Sequence, residues 1–298
     1  MSDAALPVVV NRGGGTASKL GDKLAETLEA AFREAGVAID LHLVEGDKVA
    51  ETVTGLSAPV IAVGGGDGTQ GSAAATLAGG NTVLAVLPLG TRNHLARQLG
   101  IPLDLPGAAK AAAAGITATI DLARGNDRVF VNNASIGLYT RLVRERDRSS
   151  VPKWLGTLPA AWHVLRRLRS HPLMLAIDGE PRQVRTPLLF IGNNRYSLAG
   201  GRVGERTSLT GGVLSLFAVA RKRPLGLVLF ALRTLVGRAD PARDFAALSE
   251  AREVIVEGRG AIAVAFDGEV ELMDLPLRFE IMPGALKVKR GAPADRRE

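Results

Sequence analysis

At 298 residues, with 46% hydrophobic and 22% charged side chains, the chain can bury a sizeable core and is expected to form two domains. It contains no cysteine, which excludes disulfides, thiolate metal sites and cysteine nucleophiles and suits a reducing cytosol. The net charge of +7 is uneven, with 9 Lys/Arg against 12 Asp/Glu in residues 1–124 and 28 against 18 in residues 125–298, so an anionic partner is expected for the basic half.

The first 124 residues alternate strand and helix signals. Pro7–Val10 predicts a strand, 11–15 a glycine loop, and Thr16 or Ser18 the cap of a helix to about Ala35, with Leu20, Leu24, Leu28 and Ala31 on one face. Ile39–Val44 predicts a strand, Lys48–Gly55 a short helix, and Val60–Val63 and Val83–Leu87 apolar strands, each followed by glycine and a helix. Ala108–Ala114 reads as helix and Ala118–Leu122 as the closing strand. Such alternation implies a parallel sheet covered by helices on both faces, with ligands at the carboxyl ends of its strands.

Past Arg124 the pattern changes. Residues 128–134, 173–177, 184–191, 213–220, 253–256, 262–266 and 277–281 read as strands without a regular helix between them, which suits a mostly antiparallel sandwich. Helical segments are expected near 151–170 and 224–237. The domains expected are therefore 1–124 and 125–290, followed by a disordered tail over 291–298. The start, MSDAALPVVVN, lacks the features of a signal peptide, and the apolar stretch 225–232 is too short to span a bilayer.

Three glycine loops of the first domain belong on one sheet edge: Asn11–Gly15, Gly64–Thr69 and Gly90–Asn93. Glycine at a strand-to-helix turn lets backbone N–H groups approach an anion, and the helix N-terminus adds positive potential. No Walker A triplet is present, and the dinucleotide fingerprint, G-x-G-x-x-G followed by an acid about 20 residues on, is absent. Asp67 stands among these phosphate-type glycines, where a carboxylate is tolerable if Mg²⁺ lies between. Capping of the following helix is the equal alternative on local chemistry.

GGGDGT at 64–69 followed by LPLGTRNHLARQLGIP at 87–102 resembles the diacylglycerol kinase catalytic family, which includes bacterial lipid kinases and sphingosine kinases. NAD kinases share the GGDGT loop more distantly. The resemblance extends over nearly the whole chain, through Asn11, Asp121 in TIDLA and the FDGEV stretch at 266–270. It implies a Rossmann-like nucleotide-binding domain, a lipid-binding sandwich, an active site in the cleft between them, and ATP-dependent phosphorylation of a lipid hydroxyl. By the same resemblance, Asn11, Gly65, Gly66, Asp67, Gly68, Thr69, Thr91 and Asn93 bind the nucleotide, Asp67 and Asp121 order Mg²⁺ through water, and Asp267 or Glu269 is the catalytic base. A hairpin turn is the plainer reading of Asp267-Gly268 taken alone.

Departures from the family pattern are Arg12 in place of proline, His94 in place of an aspartate, and Gly211 in place of a second aspartate. The last two weaken a metal-water network and leave a catalytically weak or inactive nucleotide- or lipid-binding protein as the alternative. An NAD kinase-like enzyme is disfavoured by LGTRNHLAR. Residues 141–171 carry eight Lys/Arg and two acids, with Trp154 and Trp162 among apolar residues, a composition suited to a membrane interface. The partners expected are thus a lipid substrate at an anionic membrane surface, no nucleic acid, and as an option a second copy in a homodimer. The localisation expected is cytoplasmic with peripheral membrane association.

Overall fold

The computed structural model describes residues 5–137, 171–196, 206–219 and 245–291. The helical segments expected near 151–170 and 224–237, nearly all of the basic stretch 141–171, and the tail from 292 lie outside the described residues. Contacts divide the chain into two units, one running to Leu122 and resuming at Pro283, the other Ala123–Met282.

In the first unit β1 (Leu6–Asn11), α1 (Gly15–Leu20), α2 (Leu24–Glu34), β2 (Ile39–Val44), α3 (Val49–Gly55), β3 (Val60–Gly65), α4 (Asp67–Leu77), β4 (Val83–Pro88), α5 (His94–Gln98) and α6 (Leu105–Ala114) follow in order. The strands pair parallel in the order β2-β1-β3-β4. Val8–Val10, Ile61–Val63 and Leu84–Leu87 are buried, as continuous apolar runs in a sheet covered on both faces must be. Helix α2 turns Leu24, Leu28, Ala31 and Phe32 into the core, a spacing that keeps one stripe inward. The single helix expected from Thr16 or Ser18 to Ala35 is instead broken at Gly21, whose φ of 51° leaves the helical region. Neither hydroxyl caps it; Gly14 is the N-cap and makes no side-chain bond.

β5 (Ile116–Gly125) leads into the second unit, which contains β6 (Arg128–Phe130), β7 (Asn133–Gly137), β8 (His171–Ile177), β9 (Glu180–Thr186), β10 (Leu188–Asn193), β11 (Leu214–Val219), β12 (Phe245–Ala251), β13 (Glu253–Glu257), β14 (Ala261–Phe266), β15 (Glu269–Asp274) and the first half of β16 (Leu277–Arg290). One antiparallel layer runs β16-β13-β8-β9 and the other β12-β11-β10-β7-β14-β15. Phe130, Phe266 and Phe279 meet in the core with ring centroids 5.7–6.4 Å apart. Two expected strands are each two. The first breaks at Val131-Asn132 and the second at Pro187, which has no N–H to donate to a ladder. Edge strands β12 and β15 carry weak strand signals: β12 is apolar but alanine-rich, and β15 alternates short of a full apolar face with acids at three of its six positions.

By contacts, the second unit ends at Met282, and β16 runs on from it into the first. Residues 277–280 of β16 pair antiparallel with β13, whereas Lys287 and Val288 pair parallel with β4 in the first unit. Leu286 and Val288 are fully buried there. Pro283-Gly284 reads as a strand end, and Lys287, Lys289 and Arg290 mask the apolar alternation that continues past it.

Candidate active site

The three glycine loops do converge on one edge of the first unit, and each pair of them is tied together. Asn11 at the end of β1 donates Nδ2 to Thr69 Oγ1 at 3.0 Å, joining the first loop to the second. Thr16 N–H donates to the Leu89 carbonyl at 2.8 Å, and Gly15 packs against Leu89 and Gly90, joining the first to the third. Asp67 Oδ1 accepts the His94 N–H at 2.7 Å, and Gly90 lies against Gly66, joining the second to the third. A Cβ at Gly64 would come within 2.9 Å of Leu89 and Val10, and one at Gly65 within 2.6 Å of Thr69. These two glycines therefore serve packing. Gly66 differs, because its Cβ would meet nothing closer than Gly90 Cα at 3.6 Å.

Helix α4 starts at Asp67, immediately after Gly66, so the free N–H groups of its first turn face this edge. With the helix dipole, such N–H groups are chemically suited to phosphate oxygens. Thr91 is exposed and its hydroxyl has no hydrogen-bond partner among the described residues. Asn93 is occupied within its own loop. It adopts a left-handed conformation, its Oδ1 accepts the Gly90 N–H at 2.9 Å, and its Nδ2 donates to the carbonyls of Pro88 at 3.2 Å and Gly90 at 2.9 Å. Asn93 thus braces the loop that presents Thr91.

Asp67 does not cap the helix it begins. Its Oδ1 holds the first N–H of α5, while its other oxygen has no partner among the described residues. Asp121, on β5, is buried and accepts the Gly284 N–H at 2.8 Å, fixing the turn inside β16. Among the described residues no three His, Asp or Glu side chains gather into a metal-holding group. One open carboxylate oxygen beside an anion-suited helix N-terminus is a donor set compatible with Mg²⁺, an ion that readily keeps several waters.

Gln70 was not anticipated. It is 3% exposed and donates Nε2 to the Val63 carbonyl at 2.8 Å and the Leu87 carbonyl at 3.4 Å. It thereby clamps α4 onto the carboxyl ends of β3 and β4. A polar residue one turn into an otherwise small-residue helix was the signal available in the sequence.

In the second unit Asp267 and Gly268, with φ of 49° and 101°, form the two-residue turn between β14 and β15, so the hairpin reading holds for the backbone. The Asp267 carboxylate does more. Oδ2 accepts the Val131 N–H at 2.7 Å, and Oδ1 accepts those of Asn132 at 2.7 Å and Asn133 at 3.0 Å. Val131 and Asn132 lie at the break between β6 and β7, and Asn133 is the first residue of β7. Burial pushes the Asp267 carboxyl above its ordinary pKa, against the pull of the three N–H groups and of Arg206. Arg206 donates Nη1 to the Val131 carbonyl at 2.6 Å, Asn193 donates Nδ2 to the same carbonyl at 2.8 Å, and Tyr196 donates its hydroxyl to the Asn132 carbonyl at 2.8 Å. Burial pushes the Tyr196 phenol up to about 12. No regular spacing marks Asn193, Tyr196 and Arg206 in the sequence; the break they serve exists only in the folded sandwich. Glu269 is exposed and pairs with Arg128 at 3.2 Å.

Among the residues where the chain departs from the family pattern, His94 is exposed at the start of α5 and presents only its backbone to Asp67. Arg12 pairs with Glu45 at 2.6 Å on the surface. A Cβ at Gly211 would come within 2.9 Å of Asn194 Oδ1, which also accepts the Gly212 N–H at 3.0 Å. A side chain at 211 would require the buried Asn194 side chain to shift.

The diacylglycerol kinase catalytic domain matches residues 5–124, and the YegS C-terminal NAD kinase beta sandwich-like domain matches residues 134–290. A Pseudomonas aeruginosa protein named "Probable lipid kinase YegS-like" is 30% identical over 280 residues, covering 90% of each chain. A Salmonella gallinarum protein named "Probable lipid kinase YegS" is 29% identical over 270 residues, covering 87% of this chain and 88% of its own. Among solved structures, a putative diacylglycerol kinase from Bacillus anthracis aligns with a TM-score of 0.67 at 23% identity, over 97% of this chain and 96% of its own. At that identity it is a likeness of fold.

Proposed function

Because the chain belongs to the kinase family with a diacylglycerol kinase catalytic domain and a YegS-type sandwich, we propose that it transfers the γ-phosphate of ATP to a hydroxyl of a lipid, diacylglycerol or a related one. The observation that carries this is the closed triangle of loops at the carboxyl edge of the parallel sheet, with the N-terminus of α4 and the open oxygen of Asp67 at its centre. Phosphoryl transfer demands mainly positioning and charge neutralisation. The N–H groups of Gly66, Asp67, Gly68 and Thr69 hold phosphate oxygens, the Thr91 hydroxyl adds a donor, and Asn93 keeps that loop in shape. Asp67 would hold Mg²⁺ through water, and the ion would supply charge neutralisation for the transferring phosphate. Asp121 fixes the turn at Gly284 in the same unit, so its part in metal binding is the weaker of the two assignments. Glu269 is the better candidate base, because both oxygens of Asp267 are already engaged by N–H donors.

Access to a lipid requires a membrane surface. No helix among the described residues is long and apolar enough to cross one, and the basic stretch 141–171 is the segment proposed to bind anionic lipid peripherally. Replacing Arg166, Arg167 and Arg169 with glutamine is expected to weaken binding to anionic vesicles at low salt; an unchanged isotherm places the membrane contact elsewhere.

A specific observation favours a second reading, a nucleotide- or lipid-binding protein with little turnover. Two carboxylates of the family pattern are absent, and Asn194 Oδ1 lies within 2.9 Å of where a Cβ at Gly211 would stand. Purified protein with labelled ATP, Mg²⁺ or Mn²⁺ and a panel of lipids in mixed micelles separates the two. Label transferred to lipid establishes the kinase; ATP binding without transfer to any lipid rejects it.

A further inference from the structure

The Asn11–Thr69 contact has a direction that the heavy atoms alone determine. Asn11 Oδ1 receives the Gly13 N–H at 2.9 Å, and an amide N–H can only donate, so this end of the side chain must be the oxygen. The other end, facing Thr69 Oγ1 at 3.0 Å, is therefore the nitrogen, and it donates. Thr69 Oγ1 consequently accepts, and its own hydrogen must point elsewhere.

That hydrogen has no acceptor among the described residues, although Thr69 is only 8% exposed. Thr27, Thr52, Thr54 and Thr76 each donate to the carbonyl four residues earlier, at 2.7–2.9 Å, the ordinary resting place of a helical hydroxyl. That outlet is closed to Thr69, the third residue of α4, because the residue four earlier, Gly65, ends β3. Thr69 sits in the first turn of an 11-residue helix whose N-terminus is already poised for anions. Two glycines leave room for the pair: a Cβ at Gly65 would lie 2.6 Å from Thr69 Oγ1, and one at Gly46 would lie 2.9 Å from Asn11 Nδ2.

We propose that Asn11 is a positioning residue that acts through Thr69. By donating to Oγ1 it makes Thr69 a one-way donor whose O–H is reserved for a phosphate oxygen of the bound nucleotide. This rests on the reading of the loops as a nucleotide-phosphate site and assigns the first loop an indirect part in it. The relay also couples loop order to ligand, because the amide that polarises Thr69 is the one that closes the Asn11–Gly13 turn.

The test is a double-mutant cycle on MgATP affinity, measured by titration calorimetry with the full chain. Thr69→Val is expected to weaken binding about tenfold, the scale of a hydrogen bond to a charged acceptor, while Thr69→Ser stays within about twofold of wild type. Asn11→Asp offers two acceptors and no donor, so the Thr69 hydrogen turns toward it; binding should fall at least tenfold. In that background the further change Thr69→Val should cost less than about twofold, since the donor is already lost. The added charge of Asp is present on both sides of that comparison and cancels. Additive losses, or a Thr69→Val protein that binds like wild type, overturn the relay while leaving the nucleotide site standing. A wild-type chain that fails to bind MgATP overturns the nucleotide reading and the relay together.

Discussion

Asp267 and Glu269 lie two residues apart in surroundings different enough to be told apart by measurement. In Asp267→Asn the most favourable placement keeps Oδ1 on the Asn132 and Asn133 N–H groups and turns the new NH₂ toward the Val131 N–H. One charge-assisted bond is lost, worth about 1.5–3 kcal/mol, and a donor at the strand break loses its acceptor. The neutral side chain is cheaper to bury than a carboxylate, which returns part of this. A net loss of about 2 kcal/mol follows, and with a urea slope of about 2 kcal/mol/M the midpoint falls by roughly 1 M. Glu269→Gln breaks only an ion pair whose carboxylate side chain is 62% exposed, so the midpoint should move by no more than roughly 0.3 M. Its kcat should instead fall by about 10²–10⁴ if Glu269 is the base. Urea unfolding followed by tryptophan fluorescence, beside steady-state turnover on the best lipid substrate, reads both quantities. The reasoning is refuted if Asp267→Asn keeps the wild-type midpoint yet loses turnover while Glu269→Gln remains fully active.

Asp67→Asn should retain the bond to the His94 N–H through its amide oxygen and leave the fold intact, yet lower phosphoryl transfer by orders of magnitude; near-normal turnover would leave Asp67 as a cap for α5 alone. Gly66→Ala places a methyl in ordinary contact at 3.6 Å, so its urea midpoint should match wild type while MgATP affinity drops at least tenfold by roughly one lost phosphate approach. Gly65→Ala, whose Cβ meets Thr69 at 2.6 Å, should by contrast destabilise by about 1–3 kcal/mol. For Tyr196, the folded phenol is raised to about 12 by burial, so its contribution is fully present below pH 10 and is lost as pH rises from there through about 12. Absorbance at the tyrosinate band should show a late-titrating phenol in the wild type that Tyr196→Phe removes, and a Tyr196→Phe trace that keeps the late component would contradict this.

Much of this molecule is written locally. Period-two and continuous apolar runs, interrupted by glycine at strand ends, are enough to specify the parallel α/β unit and to place its three loops on one edge, because βα connections are short and the strands run the same way. The helix over 15–34 was foreseeable as an element but not as two pieces, since a single Gly21 is compatible with either until packing chooses. What tertiary structure alone decided is how polar side chains are used once the elements meet. Asp67 reads locally as a metal ligand or a cap for its own helix; the backbone donor it actually holds is the first N–H of α5, a partner 27 residues away. Asp267 reads as half of a common turn, yet its carboxylate serves three donors more than 130 residues earlier in the chain. The second half of β16 joins the first unit for the same kind of reason: pairing beside β4 depends on an open strand edge created far away in sequence. Local pattern encodes which backbone shape a segment prefers; which donor meets which acceptor is settled only when distant segments exclude water from one another.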